Sequence, residues 1–266
     1  MNYPLVTVVV PSYNHVDYVT RCINSIMQQT YKSFEVVVID DGSSDGTVEL
    51  ISALSIKHGF TFVSQKNAGV CKTLNRAVNE FSNGEYIAIL ASDDYWDLTK
   101  LEKQIAAIDE NEHSEFCFTQ ALEFDSETDK SIRVFPSKPL SGSVLNQVFI
   151  RQHVPAGSML FSRNLFDKLG GFDENLREED WDFVIRSAAV TQFTNVAEPL
   201  FMYRSHDSNI MKTMGRRQIF KQKMLILSKN YMLVPPYVWL KSTLIHFIYD
   251  HLAVKVSNFR FFKRFL

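Results

Sequence analysis

The feature that most restricts the fold of this chain is a repeated switch of hydrophobic period in its first half. Short β-rich apolar runs occupy residues 5–10, 34–39, 60–64 and 86–90. Between and after them, apolar residues recur at helical spacing: Val19, Cys22, Ile23, Ile26 and Met27; Cys71, Leu74, Ala77, Val78 and Phe81; Leu98, Leu101, Ile105 and Ile108. Runs without polar alternation are strands buried on both faces, and helices between such strands predict a mostly parallel sheet covered on both sides. The fold class expected is therefore α/β. In such sheets ligands gather at the carboxyl ends of the strands, so the residues just after each run matter most.

Those residues are polar and acidic. Pro11-Ser12-Tyr13-Asn14 follows the first run, and Asp40-Asp41-Gly42-Ser43-Ser44-Asp45-Gly46-Thr47 the second. Ala91-Ser92-Asp93-Asp94 follows the fourth. Each segment alone reads equally well as a turn or a helix cap. Together they place several carboxylates on one edge, and clustered carboxylates repel unless a cation sits among them. A hard divalent ion with phosphate oxygens is the natural partner. Lys66, Asn67, Gly69, Lys72 and Asn75 open the helix after the third run, where the dipole and the Lys72 charge favour an anion.

The second half is less regular. Residues 115–124 read as a strand, 126–143 as a polar loop and 159–161 as a short strand. Trp181, Val184, Ile185, Ala188 and Ala189 mark an amphipathic helix. A second acidic group, Glu178-Glu179-Asp180-Trp181-Asp182, opens it. Acids in a first turn are good helix chemistry, but Trp181 on the apolar face would hold them in fixed positions. In Tyr203-Arg204-Ser205-His206, Arg204 could clamp phosphates and His206 could meet a metal, or both could be surface residues.

Composition narrows the class. Of 266 residues 45% are hydrophobic and 22% charged, with a formal net charge of −2. That balance is unlike a nucleic-acid binder or a disordered chain. Cys22, Cys71 and Cys117 are widely spaced, which argues against a zinc site or disulfide framework and suits a reducing cytoplasm. The start lacks the pattern of a signal peptide, and no apolar run is long enough to span a membrane. The expected location is cytoplasmic.

Charge is unevenly spread. From Arg216 onward there are ten Lys/Arg and one acid, Asp250, a net of +9, so the first 215 residues carry −11. A boundary is placed there: residues 1–215 form the body and 216–266 a basic, aromatic helical extension. Its end, Phe259-Arg260-Phe261-Phe262-Lys263-Arg264-Phe265-Leu266, suits an anionic membrane surface. Packing on the body or on a second subunit, in a homo-oligomer, is the alternative.

The stretches VTVVVPSYNHVDYVTRCINSI, VVVIDDGSSDGT, KNAGVCKTLNRAV, GEYIAILASDDYW and LGGFDENLREEDWDFVIR resemble glycosyltransferase family 2 in family order, over about three quarters of the chain. The resemblance implies a GT-A fold, a Rossmann-like nucleotide-binding sheet, and transfer of a sugar from a nucleotide-diphosphate sugar, UDP-linked by preference. It implies Mn²⁺ or Mg²⁺ as cofactor, and a saccharide or lipid-linked saccharide acceptor, as in bacterial surface polysaccharide synthesis. The resemblance places Tyr13 near the base, Asp41 on base or ribose, and Asp93 and Asp94 on ribose and the metal-diphosphate; with the residue readings above, Ser12, Tyr13, Asn14, Asp41, Lys72, Asp93 and Arg204 are the expected donor-binding set and Asp93, Asp94 and His206 the expected metal ligands. By the same resemblance Asp180, helped by Glu179, is the general base of an inverting reaction, and Trp181 lines the acceptor site. One departure is Ala91, where many members carry the first acid of an Asp-x-Asp motif; it implies altered metal binding. No QxxRW-like segment suggests a processive synthase. Two other readings are a sugar-phosphate nucleotidyltransferase, disfavoured by the absence of a glycine in the loop after the first strand, and a degenerate sugar-nucleotide-binding scaffold, which Ala91 favours and the Glu179-Asp180 pair opposes.

Overall fold

The computed structural model describes residues 3–176, 179–207, 209 and 214–249, with Glu179 described by its backbone alone. The phenylalanine-rich end expected to meet a membrane lies outside these residues.

Four strands build the parallel half of a nine-stranded sheet: β1 (Val6–Ser12), β2 (Phe34–Asp40), β3 (Thr61–Ser64) and β4 (Tyr86–Ile89). Their order is β3-β2-β1-β4, with Ser12 beside Asp40 and Asp40 beside Ser64. The tips of the first three strands are therefore level. Helices α1 (Val19–Met27), α2 (Thr47–His58) and α3 (Val70–Phe81) form the crossovers, and α4 (Lys100–Asp109) follows β4.

Strand periodicity divides the core in two. Val9, Val37, Ile39 and Ile87 face α3, α6 (Arg163–Leu169) and α7 (Glu179–Ala188). Val6, Val8, Val10, Val36 and Val38 face α1, α2 and α4. Both sides of β1 are buried, which is why the run lacks polar alternation.

Beyond β4 the sheet becomes mixed. β8 (Leu160–Ser162) pairs antiparallel with β4 and with β6 (Ser114–Asp125). β9 (Gln192–Ser205) runs parallel to β6 along nearly its whole length, and β5 (Tyr95–Trp96) closes the edge on β9. The stretch expected as a loop, 126–143, carries β7 (Ser131–Phe135), which pairs antiparallel with β6. β7 is mostly exposed, so it has no alternating apolar signal.

A third cluster joins the extension to the body. Phe149 of α5 (Leu145–Ile150), Trp181 and Ile185 of α7, Ile226 and Leu227 of α8 (Arg216–Lys229) and Val238 of α9 (Pro236–Phe247) pack together. Cys22, Cys71 and Cys117 are all buried thiols. No helix among the described residues is long and apolar enough to cross a membrane.

Candidate active site

The loops at the level strand tips are bound to one another by side chains. Beyond β1, Tyr13 is exposed and Asn14 adopts a left-handed φ of 53°. The Asn14 amide N–H donates to Ser43 Oγ at 2.7 Å, and its side-chain oxygen accepts from the Ser44 N–H at 2.9 Å. Ser12 is buried, and its Oγ has no hydrogen-bond partner among the described residues. At the end of β2, Asp40 accepts from the Gly42 and Ser43 amides, folding the turn back on itself.

Asp41, expected to hold base or ribose, is turned to the next loop. Its Oδ1 accepts from the Ala68 amide and from Gln65 Nε2, each at 2.8 Å, and its Oδ2 from the Gly69 amide at 2.9 Å. One buried carboxylate thus fixes the segment that starts α3. Gly42 makes the approach feasible: its φ is +87°, and a Cβ there would lie 2.9 Å from the Asn67 nitrogen. Lys72 projects into solvent from the first turn of α3.

The acidic turn after β4 meets the end of β9. Asp94 N–H donates to Ala91 O at 3.1 Å, closing the turn. Arg204 is locked into it: its backbone N–H donates to Asp94 Oδ1 at 2.7 Å and its Nε to Asp93 O at 2.8 Å. The guanidinium lies 4.8 Å from the ring centres of both Tyr18 and Phe124. It is thereby a buried cation held between aromatic faces, not a free arm.

Asp93, His206 and His15 converge here. His206 Nε2 lies 3.1 Å from Asp93 Oδ2 and His15 Nε2 3.9 Å from it, and one ligand atom from each falls within 4.8 Å of the others. His15 Nδ1 is 2.8 Å from Ser92 Oγ, which orients the ring. Asn209 clamps the His206 turn, accepting from the His206 amide at 2.7 Å and donating to Arg204 O at 3.2 Å. Burial alone would raise the Asp93 carboxyl, but the His206 hydrogen bond and the His15 charge outweigh it and hold it below the usual carboxylate range. Burial moves His15 the other way, toward the neutral ring that binds metals.

Asp94, expected as a metal ligand, stands outside this cluster. Its Oδ1 is committed to Arg204, and burial, reinforced by the Asp93 charge, pushes its carboxyl well above the ordinary range. With that oxygen engaged, Asp94 holds the end of β9. His15 stands in the place given to Asp94. No short sequence spacing links His15 to Asp93 or His206, but its position just after β1 obeys the strand-end rule.

The second acidic group opens α7. Asp180 Oδ2 accepts from Gln152 Nε2 at 3.0 Å, and Gln152 Oε1 accepts from the Val154 amide at 3.2 Å. Burial raises the Asp180 carboxyl despite that hydrogen bond. Gln152 lies in a connecting segment and had no signal of its own. Trp181, expected to line the acceptor, is instead buried in the third core cluster, with its indole N–H donating to Val148 O at 2.7 Å. It seats the first turn of α7. Asp182 is fully buried and accepts from Arg186, Lys229 and Asn230.

A divalent cation fits the triad. Asp93 Oδ1 is buried without a hydrogen-bond partner among the described residues, which is costly unless a cation or ligand takes it up.

Known proteins are similar to this chain in sequence and in fold. The model of glycosyl transferase family 2 covers residues 7–170. The putative teichuronic acid biosynthesis glycosyltransferase TuaG of Bacillus subtilis is 38% identical over 104 residues, 38% of this chain and 41% of that protein. The chain spans 24% to 67% of the length of five uncharacterized Rickettsia glycosyltransferases. Among solved structures, residues 1–349 of TarS from S. aureus in complex with UDP-GlcNAc superpose with a TM-score of 0.76 at 19% identity, covering 97% of this chain and 77% of that one. The mannosyltransferase PcManGT from Pyrobaculum calidifontis, in complex with GDP-Man and Mn²⁺, gives a TM-score of 0.69 at 19% identity, covering 95% and 71%. The fold is thus GT-A, and the chain belongs to glycosyl transferase family 2.

Proposed function

We propose that the protein transfers a sugar from a nucleotide-diphosphate donor, UDP-linked by preference, to a saccharide acceptor with inversion at the anomeric carbon. The observation that carries this reading is the Asp93 carboxylate between His15 and His206, with a buried oxygen left for a ligand. His15, Asp93 and His206 would hold a divalent cation. Two imidazoles in the set favour Mn²⁺ over Mg²⁺. When bound, the cation supplies positive charge against the departing diphosphate.

The other residues have separable tasks. Arg204, stacked between rings, adds a fixed positive charge behind the acidic turn. Lys72 and the first turn of α3 favour the diphosphate electrostatically. Tyr13, exposed beside Ser12 and Asn14, offers an aromatic face to the base. Asp41 keeps the 65–69 loop in place beneath it. Asp180 accepts the proton of the attacking hydroxyl, with Gln152 aiming its carboxylate and Glu179 alongside. A surface-polysaccharide acceptor, free or lipid-linked, is supported by the likeness to TuaG.

The test is incubation of the purified protein with Mn²⁺ and a panel of nucleotide sugars, following nucleoside diphosphate release with and without EDTA. Slow, EDTA-sensitive release from one donor is expected. Failure of every donor to bind or react would overturn the reading.

A further inference from the structure

The last described helix carries apolar residues on its outward face as well as on its packed one. The face of α9 packed against α5 is partly polar: Ser242 Oγ donates to Phe149 O at 3.0 Å, and His246 Nε2 lies 3.2 Å from Ile150 O. The opposite face is apolar. Tyr237, Leu240 and Leu244 recur there at three- and four-residue spacing, with Lys241 among them. Leu240 is 61% exposed and Leu244 55%. The turn before the helix also exposes Tyr231 and Met232, the latter 81% exposed. Large apolar side chains exposed together at helical spacing are rare on a surface that meets only water.

Charge selects what covers it. Residues 214–249 contain six Lys/Arg and no Asp or Glu. Lys241 is the cation of the α9 face itself, and Lys223 of α8 lies 5.9 Å from the Tyr249 ring just past its end; a second copy docked isologously would set Lys241 against its own image, and like charges would oppose the contact. A surface that is both negative and apolar beneath has no such conflict, and an apolar helix face flanked by cations, with tyrosines at its border, matches it. We propose that the outward face of α9, with the turn at Met232, seats the protein on an anionic lipid bilayer. The helix lies in the headgroup plane and does not cross the membrane. This inference rests on the α9 surface and is independent of which sugar the site transfers.

The experiment is flotation of the full-length protein with vesicles of phosphatidylcholine alone or mixed with phosphatidylglycerol, at low and high salt. Binding to the anionic vesicles is expected, weakened by salt and absent on phosphatidylcholine. The doubly substituted L240Q/L244Q protein should bind at least about tenfold more weakly. Ile56→Gln, a substitution of an even more exposed residue on α2, should bind as wild type. Unchanged urea midpoints would show that both variants fold. The proposal is overturned if wild-type protein ignores anionic vesicles, if L240Q/L244Q binds them undiminished, or if the wild type is a dimer in solution that L240Q/L244Q dissociates.

Discussion

Two side chains test the catalytic reading most directly. Asp180→Asn preserves an acceptor for Gln152 but cannot take a proton. Turnover should fall about 10²–10⁴-fold, with donor affinity retained. Gln152→Ala removes a hydrogen bond that favours the ionised carboxylate, and burial then acts unopposed by it. The acid limb of the kcat profile should move to higher pH, which a purely structural role for Gln152 would not produce. The metal assignment separates neighbours in the same turn. Asp93→Ala and His206→Ala should each weaken Mn²⁺ binding at least about tenfold in a calorimetric titration. Asp94→Ala should leave Mn²⁺ affinity nearly intact and instead cost about 1–3 kcal/mol of stability, because a buried N–H of Arg204 loses its acceptor.

At the scale of elements, the most informative contact is between α7 and α8. Lys229 of α8 donates to Asp182 Oδ2 at 3.1 Å and to Asp173 Oδ2 at 2.6 Å, while Asn230 donates to Asp182 Oδ1 at 2.8 Å. The basic extension is therefore tied to the helix that carries Asp180. Lys229→Ala leaves the buried Asp182 carboxylate with Arg186 and Asn230 only, and should cost about 1–3 kcal/mol by urea unfolding. The Lys229 hydrogen bond, the largest influence on Asp173, lowers its carboxyl to about 2. A lowered carboxyl stabilises the fold above its unfolded value of 3.8 and loses that contribution as pH falls toward 2, so the variant should also show a weaker acid dependence in that window. The compositional break at 216 was legible in the sequence; this attachment was not, because nothing in the spacing of Lys229 names a partner fifty residues away.

The same division holds for the whole molecule. The parallel half was readable because β1, β2 and β4 are buried on both faces and leave unbroken apolar runs. The pairing of β9 with β6 was not, since two half-buried strands far apart in the chain carry no mutual signal. The strand-end rule marked the acidic edge and the segment after β1, but gave no reason to single out His15 there, whose significance depends on β9 bringing His206 to the same place. The core also holds a group that couples the whole fold to pH. Lys100 is fully buried, with its ammonium 3.8 Å from the Trp96 ring centre and 2.6 Å from Gln104 Oε1, and burial lowers it from 10.5 to about 7. The unfolded chain then binds the extra proton between those values, so stability should rise as pH increases above 7. Lys100→Met should flatten that rise between about pH 7 and 8.5, read from urea midpoints before buried Cys117, raised to about 12, reverses the trend.

The three bonds that Asp41 makes to Gln65, Ala68 and Gly69 have a kinetic consequence. They fix the segment that starts α3, at the rim of the proposed donor pocket, without help from a nucleotide. Encounter then requires no loop to order and no rare conformer to be awaited. Nucleotide association should appear as a single exponential whose rate grows in proportion to concentration, without a plateau set by a slow internal step.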